Sequence, residues 1–139
     1  GEPSTMQNNP VYANVMGEVG DFFGRQLEAL MNLAGISSEQ VVLDPGIGFG
    51  KALEHNLELL AGLQNFARFQ RPLLVGVSRK SFIGKIVGAK ANQRLPASLA
   101  CATLALAEGA QIIRTHDVTE TVQALRMAEA VLARKRHVD

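Results

Sequence analysis

The chain has 139 residues, 47% of them hydrophobic and 19% charged, a composition typical of one compact globular domain. Its net charge of +1 excludes the strong basic field of many nucleic-acid-binding proteins, and no apolar run reaches the roughly 18 residues of a membrane span. No stretch resembles a signal peptide, and the only cysteine, Cys101, excludes an internal disulfide. We therefore expect a cytoplasmic protein with no nucleic-acid or membrane partner, in which Cys101 is a core residue rather than a nucleophile. Because the chain opens at Gly1 rather than at methionine, we also expect it to be part of a longer protein.

The first part of the chain predicts a loop and a long helix. Residues 1–10 are rich in Pro and Asn, and Pro10 suits the first turn of a helix. Apolar residues then recur at steps of three and four as far as Leu33, and Gly35 is the expected stop. The segment 37–40, Ser-Ser-Glu-Gln, has the pattern of a capping box.

The remainder predicts three strands that alternate with helices. Short apolar runs predict strands at 41–43, 73–77 and 111–115. Periodic runs predict the intervening and following helices at about 57–69, 81–87, 95–108 and 117–134. A second capping-box pattern at 117–120 makes Asp117 the expected cap of the last helix. Strands and helices that alternate at this spacing predict parallel strands joined by crossover helices.

An isolated sheet of three parallel strands would leave two long edges unpaired. A complete barrel of eight strands takes about 250 residues. The topology therefore predicts an α/β fold that is the C-terminal half of a TIM (β/α)8 barrel, with the last three βα units and the preceding helix in one partial domain over residues 1–139. Ligands bind at the carboxyl ends of the strands in such folds, so the residues after each strand are the candidate site.

The first strand is followed by an acidic residue and a glycine-rich loop. Asp44 has two open interpretations: it accepts hydrogen bonds from a guanidine-like heterocycle, or it caps the loop by binding nearby backbone N–H groups. The loop from Gly46 to Lys51 fits neither the Walker spacing nor the dinucleotide fingerprint. We interpret its glycines as bringing the backbone close to a flat ligand, with Phe49 as an apolar wall, and a plain flexible turn is the alternative.

The two later strands end in cations. Lys80 suits a ring acceptor or carbonyl, and the alternative is a surface lysine that begins a helix. Arg79 is expected to point away from it, outwards or into a salt bridge. Arg114 and His116 lie two residues apart and therefore face the same way, which favours an anion site, although a core histidine is the alternative for His116. No Cys/His cluster has the spacing of metal ligands, so no metal site is predicted within the chain.

Three segments match a known family in order and spacing: LDPGIGFGK at 43–51, LVGVSRKS at 74–81 and IIRTHD at 112–117. They closely resemble the C-terminal half of bacterial dihydropteroate synthases, and the likeness covers nearly the whole chain. The resemblance implies a TIM barrel that condenses 6-hydroxymethyl-7,8-dihydropterin pyrophosphate with p-aminobenzoate in folate biosynthesis. It also implies an SN1-like route assisted by Mg2+, with pyrophosphate leaving first, and inhibition by sulfonamides.

The resemblance assigns roles position by position. It implies that the pterin is bound by Asp44, Gly76, Lys80 and Arg114. It implies a p-aminobenzoate and sulfonamide pocket bordered by Gly48, Phe49 and Ser78. The pyrophosphate would be bound by Arg114 and His116, and no residue of this chain is assigned to the metal.

The sequence departs from the family in one large respect, because the family's first half is missing. That half carries an Asn-Val-Thr-Pro-Asp-Ser loop and two further polar pterin ligands. We therefore expect an N-terminal half as partner, a homodimer of the full enzyme, Mg2+ held through the substrate pyrophosphate and the missing half, and no turnover by this chain alone. A pterin-binding methyltransferase is one rival, against which the segment 78–81 argues, and a non-catalytic half-barrel that binds or assembles is another.

Overall fold

The computed structural model describes residues 11–135, so the predicted loop at 1–10 and the expectation for Pro10 lie outside the described residues. Five helices run from Val15–Ala34 (α1), Leu53–Ala61 (α2), Ser81–Val87 (α3), Leu95–Ala107 (α4) and Val118–Lys135 (α5). Two strands, Leu74–Gly76 (β1) and Ile112–Arg114 (β2), and three short 3-10 segments, Ser38–Gln40, Leu63–Phe69 and Ala91–Gln93, complete the described range. None of the helices in this range is long and apolar enough to cross a membrane.

The two strands pair in parallel, as the alternation of elements predicts. Gly76 of β1 lies opposite Arg114 of β2, and the crossover between the strands is formed by α3 and α4. A single parallel bridge joins Leu43 to Leu73, so the residues before the glycine-rich loop lie on the other side of β1. The carboxyl ends of all three segments therefore meet at one edge of the fold, which is where the sequence places the candidate site.

The predicted strand 41–43 is wrong in extent, because only its last residue pairs. The Leu43 N–H donates to the Pro72 carbonyl at 2.9 Å and its carbonyl accepts from the Leu74 N–H at 2.8 Å. Pairing stops there because Asp44 turns the chain into the loop and Pro45 has no N–H to donate. Val42, expected in a buried strand, is 45% exposed.

The helices follow the predicted pattern, with a correction to the predicted helix 57–69. Helix α1 begins at Val15 with Asn14 as its cap, where the Asn14 Oδ1 accepts from the Gly17 N–H at 2.9 Å, and it ends at Gly35 with a positive φ of 64°. The predicted helix 57–69 is two elements, α2 and the 3-10 segment, because the chain leaves helical geometry at Gly62. The capping box at Ser37 is confirmed.

The core lies between the strands and the helices that cover them. Helix α4 packs on α2 and α5, and α2 packs on α1. The largest fully buried apolar side chains come from α1, the glycine-rich loop, α2, the 3-10 segment after it, β1 with the residue that follows it, and α3: Val15, Ile47, Leu59, Leu63, Phe66, Val75, Val77 and Ile83. Cys101 is partly buried against this core, and burial raises the pKa of its thiol, the opposite of what an activated nucleophile requires.

Candidate active site

The three carboxyl ends surround one cavity of about 400 Å³. It is lined by Phe49, Gly76, Ser78, Lys80, Arg114, Thr115 and His116. The resemblance assigns eight site residues, and six of them line this cavity. The remaining two assigned residues are close to lining residues: Asp44 pairs with Arg114, and Gly48 lies against Lys80. Asp44 itself lines a neighbouring cavity of about 450 Å³, together with Tyr12 and Lys51. The structure thus brings the predicted site residues together, and it adds Thr115.

Two glycines make room for the site's cations. A Cβ atom at Gly76 would lie 2.9 Å from the Nε of Arg114, its partner across the strands. A Cβ atom at Gly48 would lie 2.8 Å from the Cδ of Lys80, and Gly48 also has a positive φ of 82°. The space at Gly48 is used by a lysine side chain of the chain itself, and the approach of the loop glycines to a flat ligand stays a prediction.

Lys80 lies over the face of Phe49. Its Nζ is 3.5 Å from the ring centroid, a cation–π contact, and the Phe49 side chain is 43% exposed. Burial lowers the pKa of Lys80, the charge of Arg114 lowers it further, and Asp44 opposes both. Lys80 begins a helix, as the alternative expected, because it is the N-cap residue of α3, but it is also partly desolvated and borders the cavity.

Asp44 caps the loop, which confirms one of the two interpretations that the sequence left open, and binding of a heterocycle stays a prediction. Its Oδ1 accepts from the Gly46 N–H at 2.8 Å, which is the loop-capping bond. Its Oδ2 lies 3.6 Å from Nη2 of Arg114, a loose ion pair between two largely exposed side chains. Exposed pairs of this kind contribute about 0–1 kcal/mol, so a ligand that binds either partner displaces little.

Two side chains that the sequence analysis missed, Asn56 and Lys51, hydrogen-bond to the backbone of the glycine loop (residues 44–51). Asn56 is 2% exposed; its Oδ1 accepts from the Gly48 N–H at 2.6 Å and its Nδ2 donates to the Ala52 carbonyl at 2.7 Å. The Lys51 Nζ donates to the carbonyls of Gly46 at 3.0 Å and Phe49 at 3.1 Å.

A signal for Asn56 is present in the sequence. Asn56 is three and four residues before Leu59 and Leu60, on the buried face of α2. An asparagine on an apolar face must find partners there.

The segment 78–80 (the cation turn) aims two of its side chains at the cavity and one away from it. Arg79 has a positive φ of 57°, which is unusual for a residue other than glycine. Its N–H donates to the Ser98 Oγ at 2.9 Å and its carbonyl accepts from Nη1 of Arg94 at 2.9 Å. Its guanidinium binds both carboxylate oxygens of Asp117, so the prediction of a salt bridge for Arg79 is confirmed.

The Asp117 carboxylate therefore pairs with Arg79, whereas the sequence predicted that it caps the last helix. The hydrogen bond to Arg79 lowers the pKa of the Asp117 carboxyl and raises that of the Arg79 guanidinium. The turn into α5 is supported by hydroxyls instead. The Asp117 N–H donates to the Thr115 Oγ1 at 3.1 Å, and the Thr121 Oγ1 donates to the Asp117 carbonyl at 2.7 Å.

His116 lies at the surface of the cavity, so the alternative of a core histidine is wrong. Its backbone N–H donates to the Ser78 Oγ at 3.1 Å, and its Nδ1 is 2.9 Å from the same oxygen. Ser78 is buried, with 7% of its surface exposed. Within residues 11–135 no group of three or more His, Cys, Asp or Glu side chains is arranged to hold a metal ion.

Comparison with known proteins places the chain in a family. Residues 1–116 match the family described as pterin binding enzyme. The chain is 51% identical over 137 residues to the dihydropteroate synthase of Escherichia coli (strain K12), covering 99% of this chain and 48% of that protein. The chain thus spans about half the length of the curated relatives it matches.

Solved structures give the same result. The Yersinia pestis dihydropteroate synthase with a sulfonamide drug complex superposes with a TM-score of 0.93 at 46% identity, over 96% of this chain and 48% of that one. The Thermus thermophilus dihydropteroate synthase in complex with 6HMPPP superposes with a TM-score of 0.87 at 41% identity, over 94% of this chain and 51% of that one. The chain therefore belongs to the pterin binding enzyme family.

Proposed function

We propose that this chain is the C-terminal half of a dihydropteroate synthase. The enzyme would condense 6-hydroxymethyl-7,8-dihydropterin pyrophosphate with p-aminobenzoate to give 7,8-dihydropteroate and pyrophosphate. The observation that carries the proposal is the single cavity at the carboxyl ends of the strands, lined by Lys80, Arg114, His116 and the exposed ring of Phe49. Cationic and N–H donors beside an apolar ring suit a ligand that is both heteroaromatic and anionic.

The pterin would lie between Asp44 and the two basic side chains. Within residues 11–135 the Asp44 Oδ2 has only the loose pair with Arg114, so it can accept N–H bonds from the amino-pyrimidine edge of a pterin. Lys80 would donate to a ring acceptor. Gly76 would leave the space in which the Arg114 guanidinium covers the pterin face.

The second substrate would enter beside the glycine loop. We assign the p-aminobenzoate and sulfonamide pocket to Gly48, Phe49 and Ser78, where the exposed Phe49 ring offers an apolar wall for an aryl group. The arylamine would then face the methylene carbon of a pterin held by Asp44 and Lys80.

The proposed reaction begins with cleavage of the bond between the methylene carbon of the pterin and the pyrophosphate oxygen. The electron pair leaves with pyrophosphate, and a pterin cation remains. Arg114 and His116 would donate hydrogen bonds to the leaving oxygens as their charge grows, and one such donor is worth about 10²–10³ in rate. The p-aminobenzoate nitrogen then attacks the methylene carbon and loses a proton, which gives dihydropteroate.

The resemblance also implies Mg2+, which would neutralise pyrophosphate charge when bound. The described residues offer no group of three or more metal-ligating side chains, so the ion would be held by the substrate and by residues outside this chain.

The remaining half of the barrel would complete both the fold and the site. The chain spans about half of its relatives. Within the described residues β2 pairs only with β1, and Val42 on the opposite side is exposed. We propose that residues 1–139 form half of a TIM (β/α)8 barrel and that an N-terminal half supplies the other strands. The isolated chain would then be inactive, and dihydropteroate formation by the pure 139-residue chain would contradict this.

The full enzyme would pair as a homodimer. A groove between α4 and α5 leaves Leu104, Met127 and Val131 exposed by 63%, 66% and 51%. A second copy would cover this apolar surface. Sedimentation of the full enzyme should show a dimer that Met127→Glu converts to a monomer, and an unchanged mass would contradict this interface.

The experiment that tests the activity is a condensation assay on the full-length enzyme with pterin pyrophosphate and labelled p-aminobenzoate. Labelled dihydropteroate and pyrophosphate should form in equal amounts. Lys80→Ala should lower kcat/KM by about 10²-fold, since it removes a charged donor from the cavity. Lys85→Ala, an exposed lysine on α3, is the matched control and should leave the rate unchanged. A protein that binds pterin but never binds p-aminobenzoate would be a pterin-binding methyltransferase instead.

A further inference from the structure

Among the described residues, the Ser78 hydroxyl has two hydrogen-bond contacts, and both are to His116. It accepts the backbone N–H of His116 at 3.1 Å, and it lies 2.9 Å from the imidazole Nδ1. Ser78 is 7% exposed, so bulk water does not readily replace either contact. A buried serine that binds one histidine through both its backbone and its ring fixes the position of that ring.

The contacts of the hydroxyl also favour one position for the ring proton, the one that gives the hydroxyl hydrogen an acceptor. A hydroxyl has one hydrogen to donate and two lone pairs that accept. The backbone N–H of His116 takes one lone pair, and Nδ1 is the only acceptor within the described residues that the hydroxyl hydrogen can reach. Donation to Nδ1 requires an unprotonated Nδ1, so the neutral ring carries its hydrogen on Nε2.

The other obvious partner of the ring is already occupied. Asp117 is the next residue and its carboxylate is the nearest acid in sequence, but both its oxygens bind the Arg79 guanidinium. The remaining charged groups that line the cavity with His116, Lys80 and Arg114, are cations and accept no hydrogen bond from Nδ1–H. Nothing in the described site therefore competes with Ser78 for Nδ1.

We infer that Ser78 is a positioning residue that holds neutral His116 with its hydrogen on Nε2, so that the ring presents an N–H donor to the anion-binding side of the cavity. This deepens the proposed function and rests on it for its catalytic meaning. The positive charge at the pyrophosphate would come from Arg114, and His116 would contribute a directed hydrogen bond. In this form Nε2 has no lone pair to accept a proton, so His116 does not deprotonate the arylamine.

Nitrogen-15 NMR of the ligand-free full-length enzyme tests the inference, because the two neutral tautomers give different ring-nitrogen spectra. A His116→Gln variant assigns the signals. The wild type should show the Nε2–H form. Ser78→Thr, which keeps the hydroxyl, should preserve it, and Ser78→Val, which matches threonine in shape without the hydroxyl, should lose it to an exchanging mixture. A wild-type spectrum of the Nδ1–H form, or identical spectra for the Thr and Val variants, would overturn the inference.

The kinetic consequence is measured on the same two variants. Ser78→Val should have a kcat/KM for the pyrophosphate substrate roughly 10- to 100-fold below that of Ser78→Thr, the scale found for partners that orient a metal-ligating histidine. The spectrum is recorded without substrate, so it stands even where the proposed reaction fails. Equal kcat/KM values alongside different spectra would overturn the catalytic part of the inference and leave the tautomer assignment intact.

Discussion

The glycine loop and the cation turn meet where Lys80 lies over Phe49, and they are held in place by different means. The glycine loop takes its shape from glycines at positive φ, namely Gly46, Gly48 and Gly50, and from bonds to Lys51 and Asn56 within or just after it. The cation turn places Arg79 at positive φ and depends on Ser98, Arg94 and Asp117, which are 15 to 38 residues away in sequence. The first is a local structure, and the second exists only when the rest of the fold has formed.

The difference has a functional meaning. Lys80 connects the two segments, since it is the last residue of the cation turn and lies over Phe49 of the glycine loop. Its position therefore depends on a local structure and on a tertiary one at the same time. Variants that loosen either segment should move Lys80, but by different routes and with different costs in stability.

The largest loss in the free energy of unfolding should come from removing the Asn56 bonds to the glycine loop. Asn56→Leu removes the acceptor of the Gly48 N–H and both carbonyl contacts at a buried position. Removing hydrogen bonds at a buried position costs about 1–3 kcal/mol, and we expect a loss of that size in the free energy of unfolding, measured by denaturant titration of the full enzyme. Asn65→Leu, which removes one exposed bond to the Gly62 carbonyl, is the control and should cost less. Equal losses would mean that Asn56 is not the support of the loop.

Loosening the cation turn should cost less free energy of unfolding. Ser98→Ala removes the acceptor of the Arg79 N–H at a buried site on α4, and we expect a cost of about 1–2 kcal/mol. Thr103→Ser, which keeps a hydroxyl on the same helix where Thr103 binds the Ala100 carbonyl, should be nearly neutral. If Ser98→Ala leaves the unfolding curve unchanged, then the positive φ of Arg79 does not depend on that bond.

A pair of glycine variants separates backbone strain from the contact with Lys80. Gly48→Ala adds a methyl group 2.8 Å from the Lys80 Cδ at a positive φ, whereas Gly88→Ala adds one at a positive φ with open space around it. Both should cost about 1–2 kcal/mol in unfolding free energy from the left-handed backbone. Only Gly48→Ala should also weaken pterin binding, because only it displaces Lys80. Equal pterin affinities, measured by calorimetry, would break the proposed link between the loop and the lysine.

The smallest effect concerns pH. Because Arg79 lowers the pKa of Asp117 in the folded protein, the ion pair stabilises the fold above the ordinary carboxyl pKa of about 3.9 and loses that contribution as pH falls through the lowered value. The melting temperatures of the wild type and Asp117→Asn should therefore differ at neutral pH and converge in acid. Glu129→Gln, an exposed change on the same helix, is the control. A gap that widens in acid would contradict the pairing.

The same contrast explains what the sequence predicts. Glycines, capping boxes and apolar spacing are local, so the parallel strands, α1, α3 and the position of the glycine loop follow from them. The broken helix at Gly62 and the single bridge at Leu43 do not, because helix and strand periodicity does not report where pairing stops. The site residues follow from the strand ends and the resemblance, whereas the support from Ser98 and the close approach of Arg114 to Gly76 arise only from tertiary packing.

The measurement that tests the account most directly is a crystal structure of the full enzyme with a non-hydrolysable analogue of the pterin pyrophosphate. We predict the amino-pyrimidine edge on the Asp44 carboxylate, Lys80 on a ring acceptor, and the pyrophosphate oxygens on Arg114 and the Nε2 of His116. A ligand bound outside the cavity between the glycine loop and the cation turn, or a pyrophosphate group with no contact to Arg114 and His116, would contradict the account.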